Sequence, residues 1–305
     1  IRGLRQFTEA FAVAAKKQTL SILGSKIAYP SIMILGTLVM FATGLSFTTS
    51  GVLVLYCVAM AGSTVVAFSV VRPEIRTLFS DAPTAVAPSV RKVLWPAILM
   101  GAVMSANLII LHMDTILIGA LAAPEEAAYA RVGQKLAESI GLILVIAMIH
   151  YRPLLAEAHG QGQREVLAHH VETLTKLLTL FGLLSFLVGV GFADYLILLF
   201  GAEYSSAVPA MRAYAVGALA LMLAGPGTLL LMMTANEVVA SRILWFVVLC
   251  NLVLDLIAIP YLGALGAGLA TAVSQVLLAV LTVRACRGRT GLDPSFLSLV
   301  GRARA

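Results

Sequence analysis

Eight runs of nearly continuous apolar residues govern what this chain can fold into. They lie at approximately Ile27–Phe47, Ser50–Val71, Val93–Gly119, Ala128–Ile149, Leu174–Val190, Val208–Met233, Ile243–Ile259 and Gly266–Val283. A helix needs about 20 such residues to cross roughly 30 Å of hydrocarbon. Hydrocarbon offers no partner for backbone N–H and C=O groups, so a crossing segment must be a helix or part of a closed barrel. Barrel strands alternate polar and apolar residues over about ten positions, and these runs do not alternate. The sequence therefore predicts an all-α, polytopic membrane helix bundle of about eight transmembrane helices.

Composition closes the other classes. Of the 305 residues, 60% are apolar and only 12% are Asp, Glu, Lys or Arg. That leaves too little polar surface to coat a water-soluble globule and too much apolar surface for a disordered chain. Cys57 and Cys250 sit inside apolar runs and Cys286 follows Arg284, which argues against a disulfide framework. The chain starts at Ile1 without a signal-peptide pattern, and it reads as a sequence lacking an N-terminal part.

The net charge of +6 is largely a topology signal. Residues 1–26 read as an amphipathic cytoplasmic segment, with Leu4, Phe7, Phe11 and Ala14 at helical spacing among Arg2, Arg5, Lys16 and Lys17. Two spans follow over 27–71, then a cytoplasmic linker over 72–92, a six-helix lobe over 93–285 and a cytoplasmic tail over 286–305. Threading eight crossings through this order puts 18 of the 21 basic residues on one side, together with both ends. By the positive-inside rule that side is the cytoplasm. The basic excess is thereby assigned to orientation, which leaves no case for a nucleic-acid partner.

Arg131, Lys135 and Arg212 are the basic residues that this topology does not place. Arg131, Gln134, Lys135 and Glu138 share one helical stripe. A charge facing lipid costs about 2.5–3.5 kcal/mol, so the stripe should line a watery cavity or meet partner helices. It can serve as a cationic wall for an anionic substrate group. The alternative is a helix start at the membrane interface, with Arg131 reaching the headgroups and Lys135 pairing with Glu138. Arg212, at the start of its span, suits the headgroup reading.

Asp114 and Asn107, seven residues apart on one face of the third span, and Asn251 and Asp255, one turn apart in the seventh, are candidates for ion coupling. Helix capping or interhelical hydrogen bonding would explain the same residues. Thr271, Ser274 and Gln275 read mainly as packing and interhelical bonding. Gly225, Pro226 and Gly227 interrupt the sixth span and predict a kink or hinge. No Walker loop, zinc spacing or nucleophile elbow occurs, so the sequence calls for no cofactor, no metal and no enzyme. His150, His159, His169 and His170 read as loop residues.

Three segments together carry a family resemblance. One runs from Asp114 through Gly119, Tyr129 and Leu136 to Pro153. A second is Leu199-Phe200-Gly201-Ala202-Glu203-Tyr204 with Ala207. The third is Ile259-Pro260, Gly263, Gly266-Ala267 and Ala270-Thr271. In order and spacing they resemble the multidrug/oligosaccharidyl-lipid/polysaccharide (MOP) exporter superfamily, in particular its O-antigen and exopolysaccharide flippases. The resemblance implies two helices of a first lobe followed by a complete six-helix second lobe. It implies translocation of a polyprenyl-diphosphate-linked oligosaccharide across the bacterial inner membrane by alternating access. It further implies Arg131 and Lys135 at the diphosphate, with membrane lipids and glycan-assembly proteins as partners. A lipid II flippase and a multidrug exporter are rivals within the same fold. A membrane-embedded glycan polymerase or ligase is the rival from another class.

Overall fold

The computed structural model describes residues 27–44, 48–80, 90–140 and 142–302. The amphipathic segment expected over 1–26 lies outside them. The described residues are helical almost throughout, and the chain forms two compact units, residues 1–87 and 88–305. In the first, α1 (Ala28–Ala42) packs against α2 (Thr49–Ser80), with Tyr29 and Tyr56 edge to face at 6.0 Å.

The second unit comprises α3 (Val90–Leu121), α4 (Pro124–Ile140), α5 (Leu142–Gly160), α6 (Arg164–Gly191), short α7 (Ala193–Leu198), a 3-10 turn (Ala202–Ala207), α8 (Val208–Leu223), α9 (Gly227–Met233), α10 (Glu237–Arg289) and α11 (Phe296–Arg302). Among the described residues, five helices are long and apolar enough to cross a membrane, and the 53-residue α10 has the length for two crossings.

α10 is not straight. Gly263 leaves helical geometry at φ 53°, ψ −128°. A straight helix would separate residues 258 and 266 by about 12 Å. Here Gly266 lies against the Ala258 carbonyl, so close that a Cβ on it would stand 2.5 Å from that oxygen. The chain therefore doubles back, and residues 237–262 and 264–289 act as two helices. Glycine is what the positive φ requires. Glu126, in the first turn of α4, accepts the Ala264 N–H at 2.7 Å and so caps the second half.

The packing is inverted relative to a water-soluble protein. Leu199 is 79% exposed, Tyr261 85% and Ile116 70%, whereas Asp114, Asn251, Asp255, Thr271 and Ser274 are buried. Apolar side chains pointing outward and polar ones inward are the arrangement that lipid demands. Lipid gives no hydrophobic drive to helix association, so close packing must hold the bundle. A Cβ on Gly217 of α8 would stand 2.8 Å from Ala272 Cα, and one on Gly268 would stand 3.0 Å from the Ala210 carbonyl. These contacts bring α8 against the second half of α10.

Several sequence expectations change. The fourth apolar run, expected over 128–149, falls in α4 and α5, and the charged α4 packs on α3, α8 and α10. Between the apolar runs that end at Ile149 and begin at Leu174, only residues 161–163 lie outside helices, since α5 and α6 both carry their polar ends beyond the apolar core. His150, His169 and His170 are thus on helices, where the rings of His150 and His170 meet Tyr151 edge to face. The linker expected over 72–92 is shortened from both ends, because α2 runs to Ser80 and α3 starts at Val90.

The segment between α10 and α11 is anchored to α6. Thr175 Oγ1 donates to the Pro294 carbonyl at 2.9 Å, and Pro294 and Ser295 are buried. The Pro294 carbonyl also occupies the space beside Gly225 that a side chain there would need.

Candidate functional site

Helix geometry sets which polar groups can meet. Asp114 lies on α3, Tyr214 on α8, and Asp255 and Thr271 on the two halves of α10. The Gly217 and Gly268 contacts draw α8 close to α10, and α3 packs along α10. At that junction the Asp114 side chain is 1% exposed. Its Oδ2 accepts hydrogen bonds from Tyr214 Oη at 3.0 Å and Thr271 Oγ1 at 2.7 Å. The Asp255 carboxyl, fully buried, comes within hydrogen-bonding reach of Asp114.

No donor faces the Asp255 oxygens or Asp114 Oδ1. A carboxyl–carboxyl contact becomes a hydrogen bond only when one partner carries a proton. Two ionised carboxylates facing each other away from water repel strongly. A proton or a small oxygen-liking cation between them removes that repulsion. Asn251, one turn from Asp255 and also fully buried, leaves both side-chain amide atoms without partners. Among the described residues no cluster of three or more His, Cys, Asp or Glu converges as a metal site.

The cationic stripe divides. Arg131 Nη1 donates to Gln134 Oε1 at 3.0 Å, and Gln134 Nε2 donates across to the Leu111 carbonyl of α3 at 3.0 Å. Lys135 points elsewhere and forms an ion pair with Glu138. Arg212 pairs with Asp194 at 2.8 Å on an exposed surface, where such pairs contribute at most about 1 kcal/mol.

Two cavities adjoin these groups. The smaller, about 200 Å³, is lined by Tyr214, Thr271, Ser274, Gln275, Asn107 and Gln134, among others. The larger, about 750 Å³, is lined by Lys135, Glu138, Ser139, Arg152 and four methionines, Met104, Met148, Met222 and Met232, among others. Asn107, Glu138 and Gln275 line both. Tyr214 and Thr271, which hold Asp114, therefore open onto a space that shares its wall with the larger cavity. Arg131 lines neither. Asn107 donates its amide to the Val103 carbonyl of its own helix at 2.9 Å and belongs to the cavity wall, with no hydrogen bond to the carboxyl pair.

The sixth apolar run breaks where its glycines and proline stand. α8 ends at Leu223, Gly225 takes φ 69°, and α9 starts at Gly227. Gly225 and Thr228 line the larger cavity, so the break forms part of its wall.

Sequence reasoning missed three of these residues. Tyr214 carried no signal inside its apolar run. Thr271 read as a packing residue, although Thr271, Ser274 and Gln275 mark one polar face. Arg152 was assigned to topology.

No family model matches the chain, and no curated protein matches it. A solved structure described as "Crystal structure of MATE in the bent conformation" matches with a TM-score of 0.69 at 14% identity, over 90% of this chain. The chain spans 62% of the length of that structure. At this identity the likeness speaks to the fold, and it agrees with the bundle built above: the chain is a multi-pass membrane protein with a MATE-like fold.

Proposed function

We propose that the protein is a transporter, not an enzyme, and that it moves a polyprenyl-diphosphate-linked oligosaccharide across the bacterial inner membrane by alternating access. The observation that carries this reading is the shared wall: Tyr214 and Thr271, which hold the buried Asp114, line a small cavity that shares its wall with one of about 750 Å³ combining cations with methionines. A ligand with an anionic group and an apolar chain suits such a lining, since thioether side chains adapt to irregular apolar shapes. The Asp114–Asp255 pair, with Asn251 one turn away, is the coupling site for a proton or a small cation. Ion occupancy there alters Tyr214 and Thr271, and through them the cavity wall. The break at Gly225–Gly227 supplies the hinge. Membrane lipids and glycan-assembly proteins are the expected partners, and both ends of this chain face the cytoplasm.

The test is reconstitution in liposomes with a fluorescent lipid-linked oligosaccharide and a lectin or quencher on one side. Movement that depends on an ion gradient and disappears in Asp114→Asn supports the reading. Absence of movement under every gradient, or glycosyl transfer by the purified protein, overturns it. The methionine wall and the MATE-like fold favour one second reading, export of an apolar cationic drug with Glu138 as its counter-charge. Gradient-driven ethidium efflux without oligosaccharide movement would select it.

A further inference from the structure

The two cavities meet at a neck. Asn107 of α3, Glu138 of α4, Ala218 and Leu221 of α8 and Gln275 of α10 line both, so four helices contribute to the junction. Beyond the neck the smaller space, about 200 Å³, has room for several water molecules. Among the described residues, its wall carries polar groups without a partner. Ser274 is 1% exposed and its Oγ has none, and neither has Gln275 Oε1. Glu138 gives one oxygen to Lys135 and keeps the other, Oε1, buried and unpaired. Buried polar atoms are satisfied as a rule, and a polar cavity with several such groups is where ordered water sits. The inner end of the space is the cluster already described, since Tyr214 and Thr271 line it and donate to Asp114.

We infer that the smaller cavity is a hydrated passage through which the coupling ion travels between Asp114 and the larger cavity, with Glu138 and Gln275 conducting at the neck. The inference rests on the coupling reading above and supplies the ion's route, which that reading leaves open. Water and side-chain oxygens suit a proton, which moves along hydrogen bonds, and equally a small cation, which takes oxygen ligands. A carboxylate at the neck draws either toward the passage. The opposite route is poor: Val253, Leu256 and Ile257, beside Asp255, point outward, and hydrocarbon is a costly medium for a charge. A ligand that fills the larger cavity therefore closes the ion's doorway. Ion and ligand then enter and leave in a fixed order, and coupling needs no signal carried through the bundle.

The experiment uses the whole chain in neutral-lipid nanodiscs, with two arms that separate the ions. One follows binding and release of radioactive sodium, and the other follows proton uptake after a pH jump with a soluble dye. The signal that counts is the part missing in Asp114→Asn. Ala218→Leu fills the neck and leaves the hydrogen bonds to Asp114 in place. It should slow binding and release alike, about tenfold or more, and keep the affinity within about twofold, because a barrier rises between unchanged ends. Gln275→Leu should do the same to a lesser degree, and Glu138→Gln should slow entry. Ser139 is exposed and lines the larger cavity alone. A bulky fluorescein maleimide on Ser139→Cys should slow exchange as Ala218→Leu does. The unaltered chain treated with the same reagent corrects for Cys57 and Cys250.

Matched slowing of both rates at constant affinity, in whichever ion arm responds, supports the passage. Wild-type exchange rates in Ala218→Leu and in the labelled Ser139→Cys protein, with binding still dependent on Asp114, overturn it and leave the coupling site standing. A loss of affinity without matched slowing makes the neck residues structural and overturns it too. Ion binding that survives intact in Asp114→Asn overturns the coupling reading, and the passage with it.

Discussion

Tyr214 and Asp114 are 100 residues apart in the chain, and their side chains meet at 3.0 Å in the centre of the second unit. Thr271 shares the same carboxylate oxygen, and the other one, Oδ1, is left without a donor. Asp114→Asn and Asp255→Asn each remove one charge at nearly constant volume. Each variant should fold, and each should lose the dependence of transport on the ion gradient. Tyr214→Phe removes one hydrogen bond to a charged group, worth about 1.5–3 kcal/mol, and should weaken that dependence without abolishing it. Gradient-driven flux in liposomes reads all three. Full ion dependence in Asp114→Asn would end the coupling assignment.

Gly217 lets α8 approach the second half of α10 closely. Gly217→Val would force a side chain into Ala272. Overpacking of this kind costs typically 1–3 kcal/mol. The variant should melt at a lower temperature in detergent than the wild type, and Ala272→Gly in the same chain should recover little of the loss, because the atom in the way is the backbone Cα. An unchanged melting temperature would show that the two helices are not in contact there.

Glu126 and the turn at Gly263 hold one another. Glu126→Ala leaves the Ala264 N–H without its acceptor and should cost about 1 kcal/mol, as lost caps do. Gly263→Ala adds a left-handed strain of roughly 1–3 kcal/mol and presses on Glu126. Hydrogen exchange at the Ala264 amide should accelerate in both. Exchange at the wild-type rate in Glu126→Ala would deny the cap.

Asp293 gives stability a pH dependence. Burial pushes its carboxyl up, but hydrogen bonds from Arg287 and Ser295 and the guanidinium charge outweigh burial and hold it below the ordinary 3.8. A carboxyl lowered on folding stabilises the protein above its unfolded value, and the contribution disappears as pH falls through the folded value. Wild type should therefore exceed Asp293→Asn in melting temperature at neutral pH, and the difference should vanish at a pH below 3.8. The effect is small, because Arg287 is half exposed. A difference that persists in acid would place the cause elsewhere.

The elements legible in the sequence were those dictated by lipid. Continuous apolar runs and the Gly225-Pro226-Gly227 interruption can be read residue by residue, because crossing length and the loss of a backbone donor are local properties. The candidate site was legible only in part. Asp114 and Asp255 announced themselves as carboxyls among apolar neighbours, but their meeting depends on α3 and α10 packing side by side, which no spacing reveals. Arg131 and Lys135 share a helical stripe and still face different surroundings, since the roughly 40° between positions four apart separates a bond to Gln134 from the cavity wall. Arg152 was hidden by the positive-inside pattern, which assigns every basic residue at a helix end to orientation before packing is known.

The contact between the Pro294 carbonyl and Gly225 has a mechanical consequence. The C-terminal segment is keyed into the interrupted helix, and Thr175 holds the same Pro294 carbonyl by a hydrogen bond. The helix cannot straighten or swing at Gly225 while Pro294 stays in place, so any large movement of the break must first or simultaneously lift the segment away. A reporter dye on Leu297, which is 54% exposed, would then register each such movement as a displacement of the segment.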